Sequence, residues 1–157
     1  MKITLLVVGK TNESYLIEAI GIFDKRLKHY VPFQIEVIPE LKNAKNMPIT
    51  QQKEKEAEAI LKQLQETDEV ILLDETGTQY SSKGFAEMIE KKMTMGVKRL
   101  VFVVGGPYGF APSVYERAQK KMSFSKMTFS HQLIRLIFIE QVYRAMTILK
   151  GEPYHHE

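Results

Sequence analysis

The chain has 157 residues, 44% of them apolar and 26% charged, which fits one folded domain that buries roughly two-thirds of its unfolded surface. It contains no cysteine, which excludes a disulfide framework, a thiolate metal site and a cysteine nucleophile. The net charge of +3 is too small to argue by itself for nucleic acid, and no stretch approaches the roughly 20 apolar residues of a membrane span or forms a signal peptide, so a cytoplasmic protein with no membrane partner is expected.

Short β-branched runs alternate with helical periodicity throughout. This predicts an α/β fold: a mostly parallel sheet of five to six strands with helices on both faces, in a single domain over residues 1–157. Lys2–Val8 reads as a strand buried on both faces. Ser14 is expected to cap a helix whose apolar stripe is Leu16, Ile20, Phe23, Leu27 and Tyr30, with Pro32 ending it. Phe33–Ile38 is the second strand, Leu41–Pro48 a polar connection, and Gln51–Leu64 a charged helix. Val70–Leu73 is the third strand, closed by Asp74-Glu75-Thr76-Gly77, and Ser81 or Ser82 caps a helix running to about Met93. Arg99–Val104 is the strongest strand signal and is broken by Gly105-Gly106-Pro107-Tyr108-Gly109. A helix near Pro112–Gln119, a short strand at Met122–Phe124 and a polar loop precede the last helix, His131–Lys150, stopped by Gly151 and Pro153. Apolar residues cover nearly the whole circumference of that helix, which makes it either central in its own domain or buried against a partner chain; in so small a domain a partner is favoured, and therefore a homodimer.

Parallel α/β sheets bind ligands beyond the carboxyl ends of their strands. Those ends are Leu73–Gly77, Val104–Gly109 and the loop after Phe124. Gly105 and Gly106 allow backbone to approach a ligand without Cβ interference, although a plain tight turn explains them equally well. Neither Gly-x-Gly-x-x-Gly nor a Walker-type loop is present, so dinucleotide and triphosphate sites lack their usual fingerprint. From Ser123 to Gln132 small hydroxyls alternate with large apolar groups, a composition able to wrap a flat ligand such as an adenosine, while Ser130 can also serve as a helix cap. Of the four histidines, His29 reads as structural or surface-exposed and His131 as a first-turn residue. His155-His156 reads either as a tag remnant or disordered tail or, since Glu152-Pro153-Tyr154-His155 is too particular for a vector scar, as a tail able to deliver a general base. No carboxylate pair or His-x-x-x-His spacing suggests a metal, and none is expected. Charge is uneven: Glu40–Glu69 holds seven acids against five lysines, whereas Arg117–Lys150 holds seven bases against Glu140 alone. The second segment is either a solvated basic surface or a dock for an anionic partner.

Several pieces recur in a specific order: Met1-Lys2-Ile3 with Val7-Val8-Gly9-Lys10, Leu72-Leu73-Asp74 with Gly77, Phe102–Gly109, Phe124–Phe129 leading into His131, Arg135, Glu140–Ala145, and Pro153-Tyr154-His155. Together they resemble, over essentially the full length, the bacterial ribosomal RNA large subunit methyltransferase H family, pseudouridine N3-methyltransferases of the SPOUT superfamily. The resemblance implies a trefoil knot near the C-terminus, an arrangement that strand patterns do not reveal. It implies S-adenosylmethionine held by three loops, here Leu73, Gly105 and the run Phe124, Ser125, Lys126, Met127, Thr128, Phe129. It further implies methylation of N3 of a pseudouridine in 23S rRNA on the assembled ribosome. Arg144 would then stabilise the developing anion and His155 or Tyr154 would assist proton removal, the tail closing over the partner's cofactor. Lys120, Lys121, Lys126 and Arg135 would contact phosphates. Where that family often has proline before the histidine, this chain has Ser130, a change that removes a stiffening residue but no expected ligand. The rival readings are a non-catalytic ribosome- or RNA-binding protein retaining the fold, opposed by the intact glycines and Tyr154-His155, and a nucleotide-binding α/β enzyme.

Overall fold

Lys2–Val8 (β1) is apolar except at Lys2 and Thr4, and the sheet forms on both of its edges. In the computed structural model, which describes residues 1–156, Phe33–Ile38 (β2) pairs on one side of it and Arg99–Val104 (β4) on the other. Glu69–Gln79 (β3) and Lys120–Ser123 (β5) complete a five-stranded, all-parallel sheet in the order β2-β1-β4-β3-β5. Side chains alternate faces along each strand. Ile3, Leu5 and Val7 therefore join Phe102, Val104 and Ile71 on one face, beneath helices Ser14–Leu27 (α1), Ser82–Thr94 (α3) and Leu133–Leu149 (α5). Leu6 joins Val70, Leu72, Val101 and Val103 on the other face, beneath Ile49–Gln63 (α2) and Pro112–Arg117 (α4). Burying a residue such as Phe102 on such a face contributes about 1.5–3 kcal/mol.

Several boundaries differ from the sequence reading. Ser14 is the first helical residue of α1; Glu13 holds the cap position and makes no side-chain cap bond. Leu27 ends α1 well before Pro32, because its carbonyl is taken by the amides of Tyr30 and Val31 in a closing turn. The largest difference is β3, which does not close at Asp74 but runs on to Gln79. Its pairing with β5 slips between Leu73 and Thr78, a bulge that absorbs Asp74–Gly77. Gly77 is obligatory there, since a Cβ would lie 2.5 Å from the Met122 backbone. The other expected elements are present with shifted bounds: α2 begins at Ile49, α4 ends at Arg117, β5 is Lys120–Ser123 in place of Met122–Phe124, and α5 begins at Leu133. Ser81 caps α3 by accepting the Gly84 amide at 2.9 Å.

The chain leaving β5 must travel from one edge of the sheet back to its middle. Thr128 Oγ1 donates to Glu75 at the end of β3, and Gln132 Nε2 then donates to the Lys10 carbonyl beyond β1. Because β4 lies between those strands, residues 124–132 cross its carboxyl end before α5 descends between α1 and α3. A C-terminal knot requires a crossing of this kind. Arg135 fixes its far end. The guanidinium is 1% exposed and donates to the carbonyls of Val8, Gly9 and His131 and to Thr11 Oγ1 at 2.9–3.1 Å. That geometry corrects the expectation that Arg135 contacts RNA phosphate. Its donors are engaged inside the protein, and burial lowers its pKa from the ordinary arginine value.

Candidate cofactor cleft and catalytic tail

The crossing segment closes a cleft of about 550 Å³ over the carboxyl ends of β3, β4 and β5. Its walls come from Leu73–Glu75, Val104–Phe110, Met122–Ser125 and Met127–His131, with Ile134 at the start of α5. Size and lining suit a small ligand held by apolar contacts and a few placed polar groups. All three expected loops meet here: Leu73, Gly105 and, of the third run, Phe124, Ser125, Met127, Thr128 and Phe129. Lys126 does not line the cleft; it is exposed, where it suits phosphate better than an adenosyl group.

Each wall is held by identifiable contacts. Phe124 stacks edge-on with Phe85 and Phe138, so the cleft floor is continuous with the core. The hydroxyls of Ser123 and Ser125 bond within the loop, to Ser125 O and the Met127 amide, and that of Thr128 ties the loop to Glu75 of β3. They shape the loop and engage its main chain at Ser125 and Met127. Gly105 packs tightly on Phe110, whose ring an added Cβ would approach to 3.0 Å. The Gly106 amide donates to Glu56 Oε1 of α2 at 2.9 Å, and a Cβ at Gly106 would meet the other Glu56 oxygen at 2.6 Å. Burial raises the Glu56 carboxyl above its ordinary value, against the opposing pull of the Gly106 amide and His131. Glu56 went unnoticed in the sequence because fifty residues separate it from Gly106 and nothing local marks it.

Asp74 is a second residue that only the fold assigns. It receives hydrogen bonds from the Thr76 amide and hydroxyl and from the Tyr115 hydroxyl. Burial alone would raise its pKa, but those bonds and nearby Lys121 hold it below the usual carboxylate value. Burial, and then the same contact with Asp74, pushes Tyr115 up to about 12. Asp74 and Glu75 thus put carboxylates on the wall of a site expected to receive a positively charged sulfonium. Among the described residues no group of three or more potential ligands is placed to hold a metal.

Arg144, Tyr154 and His155 gather at a different place. Arg144 pairs with Glu140 at 2.7 Å, lies 3.1 Å from His155 Nδ1, and its guanidinium sits 4.7 Å over the Tyr154 ring. Tyr154 donates to Glu140 at 2.9 Å and packs edge-on against Tyr143. Burial, then Glu140, raises the Tyr154 pKa. Tyr30 bonds Glu152 and tethers the tail further. None of these residues lines the cleft of its own chain. Arg144 is ten residues beyond Ile134, about 15 Å along the helix at 1.5 Å per residue. On the surface Lys120 reaches Tyr80 and Lys121 reaches Thr76, both at the edge of the sheet beside the cleft.

A parallel sheet whose strand ends, glycine turn and returning chain enclose a cleft is the architecture of SPOUT methyltransferases, and the family model described as "Predicted SPOUT methyltransferase" matches residues 1–155. The chain belongs to that family. It is 62% identical, over the full length of both chains, to the Ribosomal RNA large subunit methyltransferase H of Parabacteroides distasonis. It is 56% identical to that of Christiangramia forsetii over 99% of each chain, and 55% identical to that of Flavobacterium johnsoniae over the full length of both.

Proposed function

We propose that this protein methylates N3 of a pseudouridine in 23S rRNA of the assembled ribosome, using S-adenosylmethionine, as a cytoplasmic homodimer. The observation that carries this reading is the division of one chain's chemistry between two places. The cleft has what a donor needs: glycine-opened backbone at Gly105, an apolar floor at Leu73 and Phe124, and carboxylates at Asp74 and Glu75 facing a cation. The tail has what an acceptor needs, and it is about 15 Å away. Two chains related by a two-fold axis bring one cleft to the other tail.

α5 carries the surface for that pairing. Phe138, Ile139, Val142, Ala145 and Met146 face the core, whereas Leu133, Ile137, Glu140 and Arg144 recur every three or four residues on the outward side. S-adenosylmethionine supplies an activated methyl on a positively charged sulfur. The chain's own residues supply alignment and charge control. Arg144, oriented by Glu140, stabilises negative charge as N3 loses its proton. Tyr154, raised above its ordinary value, remains protonated at neutral pH and acts as a donor, which leaves His155 as the base. Lys120, Lys121 and Lys126 hold phosphates; Arg135 serves the fold.

The test is transfer of labelled methyl to ribosomes from cells lacking this protein, followed by mapping of the modified base. Titration of S-adenosylmethionine into the protein separates this reading from a non-catalytic RNA-binding protein, which would show no donor binding. Donor binding with methylation at another base would correct the nucleotide and keep the class.

A further inference from the structure

Tyr108 stands on the rim of the cleft with 51% of its surface exposed. Among the described residues its ring meets no other ring and its hydroxyl has no partner, whereas Phe110 and Phe124 of the same wall are packed on Tyr115, Phe85 and Phe138. A lone exposed aromatic needs no explanation by itself. Its mounting does. Tyr108 lies in a turn closed by the Gly109 amide donating to the Gly106 carbonyl at 3.2 Å, with Gly109 at φ +80°. The other end of the turn is anchored by the Gly106–Glu56 bond, and the residue before Tyr108 is Pro107, whose ring fixes its own φ. The structure therefore holds the Tyr108 backbone firmly and leaves the ring bare.

The second observation lies across the cleft. Met127, 77% exposed, lines the same opening from the crossing segment. Lys126 is exposed beside it, and Lys121 lies at the neighbouring sheet edge. A flat apolar surface, a polarisable thioether and surrounding ammonium groups suit an uncharged planar ring carried on a polyanion. We infer that Tyr108 and Met127 form a clamp for the acceptor base, the tyrosine stacking on the nucleobase once it leaves its own stack to reach the donor. The inference rests on the methyltransferase reading and adds a residue that positions the acceptor. A base so extruded loses its own stacking energy, and an aromatic platform restores part of it.

The test compares Tyr108→Ala and Tyr108→Phe with the full-length protein on unmodified ribosomes. Tyr108→Ala should lower kcat/KM for ribosomes about tenfold or more while changing the S-adenosylmethionine Kd less than twofold; Tyr108→Phe should restore most of the loss. Since the chain has no tryptophan, Tyr108→Trp supplies a unique fluorophore. Its emission should be quenched by an RNA stem-loop bearing the target base and should be far less affected by S-adenosylhomocysteine alone. An equal loss of donor affinity in Tyr108→Ala would assign the ring to the cofactor and overturn the inference. So would dissociation of the dimer in that variant, or unchanged kcat/KM. Failure of the unsubstituted protein to bind donor or methylate ribosomes would instead defeat the methyltransferase reading, before any variant is compared.

Discussion

Glu56 holds the Gly106 amide from a helix on the opposite face of the sheet, and through it the turn that carries Gly105 on the cleft wall, the proposed donor contact. A hydrogen bond to a charged acceptor contributes about 1.5–3 kcal/mol. Glu56→Ala should therefore weaken S-adenosylmethionine binding roughly tenfold by calorimetry, and Glu56→Gln, which keeps an acceptor oxygen, should recover most of it. Equal loss in both would show that the charge, not the acceptor, matters. Asp74 makes a prediction with a defined sign. Its folded pKa lies below its unfolded value, so the stability it contributes is present above about pH 4 and is lost as pH falls through the folded pKa. Tyr115→Phe removes one of the bonds responsible and should move the Asp74 carboxyl titration upward, measured by NMR. At the tail, an acidic limb in the rate–pH profile that persists in His155→Ala would remove that histidine from the base role.

Among the elements, the segment from Ser123 to Arg135 joins structure to chemistry. Its serines and threonine fold the loop, Phe124 roots it in the aromatic core, and Arg135 fixes its end to three carbonyls. Replacing Arg135 by Ala leaves those carbonyls buried without donors and should destabilise the protein by roughly 3 kcal/mol, seen as a lower midpoint in urea unfolding. A fall in ribosome affinity with stability unchanged would restore Arg135 as a phosphate contact. The tail is the second element. Truncation after Pro153 removes Tyr154 and His155, which bond to Glu140 and Arg144 and do not touch the cleft. That variant should bind donor within about twofold of the full chain and lose methyl transfer by at least about a hundredfold, as expected when general acid–base groups are removed.

At the scale of the whole molecule, the proposed two-fold pairing would make each site depend on both chains. Ile137 lies on the outward stripe of α5 and outside the core clusters. Ile137→Asp should yield a monomer by light scattering that still binds S-adenosylmethionine and does not transfer methyl; an active monomer would end the shared-site proposal. The basic closing third should make ribosome binding fall with salt, and each of Lys120, Lys121 and Lys126 replaced by Ala should reduce the slope of log affinity against log salt by about 1.

The α/β class, nearly every element and the three loops of the cleft were legible in the sequence, because apolar periodicity and glycine placement are local consequences of backbone geometry. Ordered motifs also carried the family: Gly105, Phe124–Phe129 and Tyr154-His155 occur in one order along a chain that the SPOUT methyltransferase family model matches over residues 1–155. Contacts between distant residues were not legible. Arg135 looked like a phosphate ligand until burial enclosed it, and the extension of β3 through Asp74–Gly77 depended on β5 lying alongside with a slipped register. The contacts of Glu56 with Gly106 and of Tyr115 with Asp74 are likewise settled by how α2 and α4 pack on the sheet. A sequence pattern records which face a residue prefers; only the closed fold determines what it meets there.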